Sequence, residues 1–113
     1  MLITLDSALQ KENWPDCTVR EYPFESKELW IATAHIRGRY PSEGKAINHS
    51  CDMIYYVIEW EAVIHRADGD FAVKTGDAFF FAKDTWYRIE TNNLKVILPT
   101  SPARNYEQYE EIE

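Results

Sequence analysis

Short apolar runs rich in β-branched and aromatic residues recur along the chain and are separated by turn residues. This pattern is typical of short strands, in which successive side chains alternate between two faces. The predicted strands are Cys17 to Phe24, Leu29 to Ile36, Met53 to His65, Phe71 to Val73, Ala78 to Ala82, Trp86 to Glu90 and Leu94 to Leu98. A sheet of this many strands must close or stack to cover its edges, so the pattern predicts an all-β barrel or sandwich.

One turn and both ends of the chain give further predictions of local structure. The segment Arg66 to Asp70 predicts a hairpin with Asp-Gly at its centre. Asp6 to Asn13, with Asp6 or Ser7 as cap, has room for a short helical turn before Pro15, with extended strands as the alternative. The acidic residues of 106–113 predict a solvated, partly frayed tail.

Length and charge narrow the class of protein. The 113 residues suit one domain spanning 1–113, with a barrel core at about 28–100. A net charge of −7 repels phosphate backbones and anionic membranes, so neither nucleic acid nor membrane is an expected partner. Two cysteines are too few for a disulfide framework, and no secretion signal precedes the first run. We therefore expect a cytoplasmic protein.

Two segments resemble the motifs of the cupin superfamily. The first runs from Gly38-Arg39-Tyr40-Pro41 to Asn48-His49-Ser50-Cys51-Asp52-Met53-Ile54-Tyr55-Tyr56-Val57-Ile58-Glu59. The second runs from Gly76-Asp77 to Trp86-Tyr87, and Thr100 to Gln108 is similar to the close of short bacterial cupins of unassigned activity. The resemblance implies a double-stranded β-helix, the jelly-roll barrel of cupins, and it leaves the activity open.

The same resemblance implies a degenerate or absent metal site. Metal-binding cupins supply three imidazoles and one carboxylate, and the corresponding positions here are Ile47, His49, Met53 and Tyr87. One ligand of four survives, so no cofactor is expected. The alternative is a divalent transition metal held by an atypical set that includes His49 and Cys51.

Residues 47, 49, 51 and 53 share one parity and would all point into the barrel if the strand were regular. We therefore predict a pocket for a small organic ligand, lined by His49, Cys51, Met53, Tyr55 and Tyr87. The plainer alternative is a hydrogen-bonded histidine, a small buried cysteine and aromatic rings that fill the barrel.

An enzyme is the alternative function. His49 as general base and Tyr87 as acid would suit isomerase, epimerase or dioxygenase-like chemistry, with the metal-dependent variant using the atypical set. An apolar stripe of Ile54, Tyr56 and Ile58 faces outward in the same alternation and predicts a homodimer.

At two turn positions where cupins usually have glycine, this chain has a different residue. Trp60 replaces the usual glycine at a strand end, where a positive φ would cost a bulky residue about 1–2 kcal/mol. Either the local turn differs or a contact compensates. Asp84 stands where the family has glycine, and because aspartate tolerates a left-handed backbone, the turn is expected to survive.

Overall fold

A computed structural model of the chain describes residues 1–14, 16–103 and 109–112. The elements are a 3₁₀ turn at Leu5–Ser7, β1 Leu9–Trp14, β2 Cys17–Tyr22, β3 Trp30–Tyr40, β4 Lys45–Asn48, β5 Asp52–Arg66, β6 Gly69–Lys74, β7 Ala78–Phe81, β8 Trp86–Ser101 and β9 Tyr109–Ile112. Within these residues no helix is long and apolar enough to cross a membrane. The prediction of an all-β fold is confirmed.

The strands form an antiparallel sheet in which β3 and β5 flank β8. Along one path the order is β1-β2-β3-β8-β4-β9, and β5 joins β8 to β6 and β7. The three longest strands, β3, β5 and β8, have 11, 15 and 16 residues. Because they pair with partners on both sides, they carry the barrel wall and position most of the core.

Side chains alternate along β5 as the sequence predicts. Met53, Tyr55 and Val57 are buried, whereas Ile54 and Tyr56 are exposed. The inward side chains pack with aliphatic residues of β3 and β8 into one core. Period-two alternation thus places the aromatic half of β5 inside the barrel.

Strand β8 is continuous where two runs were predicted. Asparagine is uncommon in strands, so Asn92-Asn93 suggested a break between Glu90 and Leu94. The Thr91 hydroxyl lies 2.5 Å from the carbonyl oxygen of Glu61 and 2.7 Å from that of Asn93. These contacts keep the segment within the sheet despite its weak propensity.

The hairpin between β5 and β6 is present, one residue from the predicted centre. Arg66 pairs with Gly69, so Ala67 and Asp68 form the two-residue turn. Gly69 has φ 139° and takes the first position of β6. Glycine is therefore needed just after the turn, where the strand restarts.

The amino-terminal segment contains both predicted alternatives, a helical turn and an extended strand. Among the described residues helical structure is confined to Leu5–Ser7, and Leu9–Trp14 forms β1, which pairs with β2 from Leu9↔Glu21 onward. Cross-strand pairing therefore extends over most of this segment. At the other end Tyr109–Ile112 pairs with β4, so the expectation of a frayed tail is wrong for these four residues. Residues 106–108 and 113 lie outside the described part.

Candidate functional site

An interior pocket lies among buried tyrosines. Its lining includes Tyr40 from β3, Met53 and Tyr55 from β5, and Tyr87 from β8. The remaining lining residues are Cys17, Val19, Ala34 and Leu98. The empty space is about 10 Å³, roughly what a single water needs. The barrel is therefore closely filled by its own side chains.

Aromatic contacts fix the shape of the pocket wall. The ring of Phe81 lies 4.8 Å from the ring of Tyr55 and 4.7 Å from that of Tyr87, centroid to centroid. The two tyrosine rings are 6.5 Å apart and meet edge to face. Since pairs in this geometry attract beyond their burial, Tyr55 and Tyr87 are held in defined positions. Tyr40 and Phe81 were not predicted as site residues, although both lie in segments that the cupin resemblance covers.

Asn48 places a polar side chain beside this pocket. It is 4% exposed, and its amide nitrogen donates to the Met53 sulfur at 3.8 Å. The Oδ1 atom of Asn48 is buried and accepts no hydrogen bond within the described part of the chain. Buried polar groups are normally paired, so an unpaired acceptor at the edge of a pocket points to a ligand-binding position. Strand β4 was absent from the predicted elements, which is why sequence reasoning missed Asn48.

The shared-parity expectation is wrong for residues 47 and 49. In β4 the buried positions are Ala46 and Asn48, whereas Ile47 is only partly buried and His49 is exposed. Residues 49–51 belong to no strand, so the alternation restarts before β5. Cys51 and Met53 are buried as predicted. The four family ligand positions therefore do not converge.

His49 pairs with a carboxylate at the surface. Its Nδ1 lies 3.1 Å from Oδ1 of Asp84, and the two side chains are 42% and 60% exposed. Asp84 has φ 63°, so the turn does survive with a left-handed aspartate. Its backbone N–H donates to the Asn48 carbonyl at 2.7 Å. The contact between the β4–β5 and β7–β8 turns therefore places a carboxylate beside the His49 ring.

The donors present do not fit the family's metal. Ile47 is only partly buried and His49 is exposed, whereas Met53 and Tyr87 are buried in the core. Across residues 1–14, 16–103 and 109–112 no group of three or more His, Cys, Asp or Glu side chains is placed to hold a metal ion. Cys51 is fully buried and His49 is exposed, so the atypical set does not form around them.

Trp60 keeps the positive φ of the glycine it replaces. Its φ is 69°, and it lies between two irregularities in the pairing of β5 with β8. Its ring stacks on His35 with centroids 5.3 Å apart and planes inclined by 23°. The backbone at Trp60 is therefore left-handed, and the ring contact with His35 offsets part of the strain.

Comparison with solved structures identifies the fold. No family model and no curated protein sequence matches the chain. A structure of Streptomyces PAC13 with uridine matches with TM-score 0.88 and 12% identity, covering 100% of this chain and 90% of that one. KdgF from a Halomonas species gives TM-score 0.76 and 18% identity over 95% and 96% of the chains. An RmlC-like cupin from Shewanella frigidimarina gives 0.73 and 20% identity over 88% of each.

These likenesses establish the class. The chain is a small all-β domain with the cupin fold, as the two sequence motifs implied. Another PAC13 structure is described as that of a nucleoside dehydratase, with TM-score 0.88 and 12% identity, covering 100% of this chain and 91% of that one. At such low identities the comparisons show the fold alone.

Proposed function

We propose that this cupin-fold protein binds a small organic molecule inside its barrel, without a metal at the family's ligand positions. The ligand would contact Asn48, Tyr55 and Tyr87. The unpaired Oδ1 of buried Asn48 beside the interior pocket is the observation that carries the proposal.

The energetic argument starts from Asn48. A buried acceptor without a partner costs about 1–3 kcal/mol, whereas an apolar side chain of similar volume costs nothing there. A barrel built only for stability would hold leucine at this position. The asparagine is explained if a ligand donates a hydrogen bond to it.

Ligand entry requires side chains to move, because the interior pocket holds about 10 Å³. Met53 lies between Asn48 and the tyrosines, with its sulfur 3.8 Å from the Asn48 amide nitrogen. Methionine is unbranched and has three rotatable side-chain bonds, so it rearranges at low cost. Displacement of Met53 would open a path from the tyrosine rings to the Asn48 oxygen.

The aromatic rings of the interior pocket and the Asn48 oxygen together favour a ring-shaped ligand that carries an N–H or O–H donor. Aromatic faces supply apolar contact, and Asn48 supplies one directional acceptor. Uridine is a suitable first probe because it has this chemistry and because PAC13, which shares the fold, has been solved with it.

The test is Asn48→Leu, with Thr100→Val as matched control. Both positions are buried and polar, but the Thr100 hydroxyl already donates to the Pro102 carbonyl at 3.3 Å. Asn48→Leu should raise the free energy of unfolding by about 1 kcal/mol and abolish the ligand-induced shift in melting temperature. Thr100→Val should lose about 1 kcal/mol and retain the ligand shift.

Screening begins with uridine and continues through a library of small ring compounds. A ligand that stabilises the wild type and Asn48→Leu equally would contradict the proposal. So would one metal ion per chain by elemental analysis of untagged protein, together with a rise in melting temperature on adding Fe, Mn, Ni, Cu or Zn.

Acid–base catalysis is the second candidate, favoured by the 3.1 Å contact between His49 and Asp84. A carboxylate at Nδ1 favours the imidazole tautomer with its lone pair on Nε2, the form in which histidine acts as a base. Tyr87 lies inside the barrel and His49 outside, so the predicted pairing of His49 with Tyr87 is replaced by one with Asp84. Once a substrate is found, His49→Ala should reduce kcat at least tenfold, and unchanged turnover would remove His49 from the reaction.

We also infer a cytoplasmic homodimer. Ile54, Tyr56 and Phe80 are 40%, 45% and 56% exposed, and Ile54 pairs directly with Phe80 across β5 and β7. An apolar face of this kind favours association. Tyr56→Glu should produce a monomer in sedimentation, and a wild type that sediments as a monomer at all concentrations would contradict the dimer. Cys17 and Cys51 are buried and form no disulfide in the described part of the chain, which suits a reducing compartment.

A further inference from the structure

A second cavity, here called the Trp60 groove, lies apart from the interior pocket. It has a volume of about 1020 Å³ and is lined by residues 60–63 of β5, residues 72–75 of β6, Asp77 and residues 90–93 of β8. It shares no lining residue with the interior pocket. Its size is at the upper end of the range for small-molecule sites, so it needs no rearrangement to admit a ligand.

Trp60 is fixed at this groove at a cost in backbone energy. The residue is 46% exposed and has φ 69°, which side chains other than glycine rarely adopt. Its ring stacks on His35, whose Nε2 lies 3.2 Å from Asn93 Oδ1 and whose Nδ1 lies 3.2 Å from Arg37 Nη1. Both ring nitrogens of His35 are therefore engaged, and the histidine braces the indole against rotation.

The charged residues that line the groove are Glu61, Asp77, Glu90 and Lys74. Glu61 and Lys74 stand directly opposite each other across β5 and β6. Asp77 accepts a hydrogen bond from the backbone N–H of Lys74 at 2.9 Å. Glu90 lies 3.5 Å from Arg88 and 3.4 Å from His65. Neighbouring groups therefore balance part of the negative charge of the groove.

The remaining lining of the Trp60 groove consists of uncharged polar groups and a small apolar floor. Thr75, Asn92 and Asn93 contribute hydroxyl and amide groups, and the Asn93 amide nitrogen has no hydrogen-bond partner in the described part of the chain. Ala62 and Val73, buried and paired across β5 and β6, line the floor. Amides act as donor and acceptor together, which matches a ligand whose hydroxyls do the same.

We propose that the Trp60 groove binds a neutral sugar, of one or two rings. A sugar ring has an apolar C–H face that packs against an indole and a rim of hydroxyls that pair with amides and hydroxyls. An anion would meet the carboxylates of Glu61, Asp77 and Glu90, whereas the hydroxyls of a sugar can donate hydrogen bonds to such groups. The site is independent of the interior pocket and of any ligand there.

Ligand-observed NMR with a panel of neutral mono- and disaccharides tests the site, with uridine and calcium chloride in separate samples. At least one sugar should bind and shift the Trp60 indole N–H together with the backbone amides of Asn92 and Asn93. Trp60→Gly should weaken that binding at least tenfold without lowering the melting temperature, because glycine adopts this φ freely. Trp86→Ala, which removes a tryptophan outside the groove, should leave the binding unchanged.

Three results would overturn the proposal. The first is absence of binding by every sugar up to about 50 mM, a limit weaker than most specific sites. The second is sugar binding that survives in Trp60→Gly. The third is perturbation of the groove by uridine or by the calcium ion while the sugars leave it unaffected.

Discussion

The interior pocket and the Trp60 groove differ in room and in chemistry. The interior has about 10 Å³ of free space among three tyrosines and a methionine, and the groove has about 1020 Å³ among threonines, asparagines and one tryptophan. Buried side chains fill the interior, so a ligand there has to displace them. The groove already has unoccupied space for a ligand. Close packing leaves almost no free space in one region, whereas the other is open beside Trp60, whose backbone has a positive φ.

Removing an interior ring should have the largest effect. Phe81→Ala deletes a buried side chain that contacts Tyr55 and Tyr87, and it should lower the free energy of unfolding by about 3–5 kcal/mol. Leu29→Ala, at a position that is 69% exposed and outside the apolar face of Ile54, Tyr56 and Phe80, should change it by about 0.5 kcal/mol or less. Denaturant melts compare the two. Equal losses would mean that the interior is not the packed region described.

Strain at the groove is measured by comparing Trp60→Ala with Trp60→Gly. Both variants lose the stack on His35, but alanine keeps the penalty for positive φ and glycine does not. Trp60→Gly should therefore be more stable than Trp60→Ala by about 1–2 kcal/mol in chemical denaturation. If the alanine variant equals or exceeds the glycine variant, the left-handed backbone is not a feature of the protein in solution.

The surface pair should have the smallest effect on stability. His49→Ala removes a contact between two exposed side chains, and such pairs contribute about 0–1 kcal/mol. The loss should disappear in about 1 M salt, where the Debye length falls to about 3 Å. A loss of stability that persists in high salt would mean that His49 stabilises the fold by packing, which would contradict the exposed ion pair described here.

The sequence predicted the strands of the barrel better than it predicted which side chains near the first motif point into it. Alternation from Met53 to Tyr56 and the Gly-Asp motif at Gly76 were sufficient for the fold, because period-two burial is a local property of a strand. The position of His49 depended on whether β4 and β5 formed one regular strand. The break at residues 49–51 reverses the parity, and no local propensity marks it clearly.

The Trp60 groove could not have been predicted in the same way. Its walls come from three strands, and their meeting depends on pairings between residues about 30 positions apart, such as Glu61 with Asn93. The sequence did show that Trp60 stands where cupins usually have glycine, and this residue lies in the groove. Its stack on His35 joins β3 to β5 across β8, a relation that no spacing along the chain reveals.

Strand β9 has a practical bearing on how the protein is handled. Tyr109 pairs with Asn48, so the carboxyl-terminal strand lies along the backbone of the residue whose side chain we assign to the ligand. Truncation or proteolysis that removes residues 109–112 would take away hydrogen-bond partners of β4. Assays of binding are therefore best done on protein in which these residues are intact.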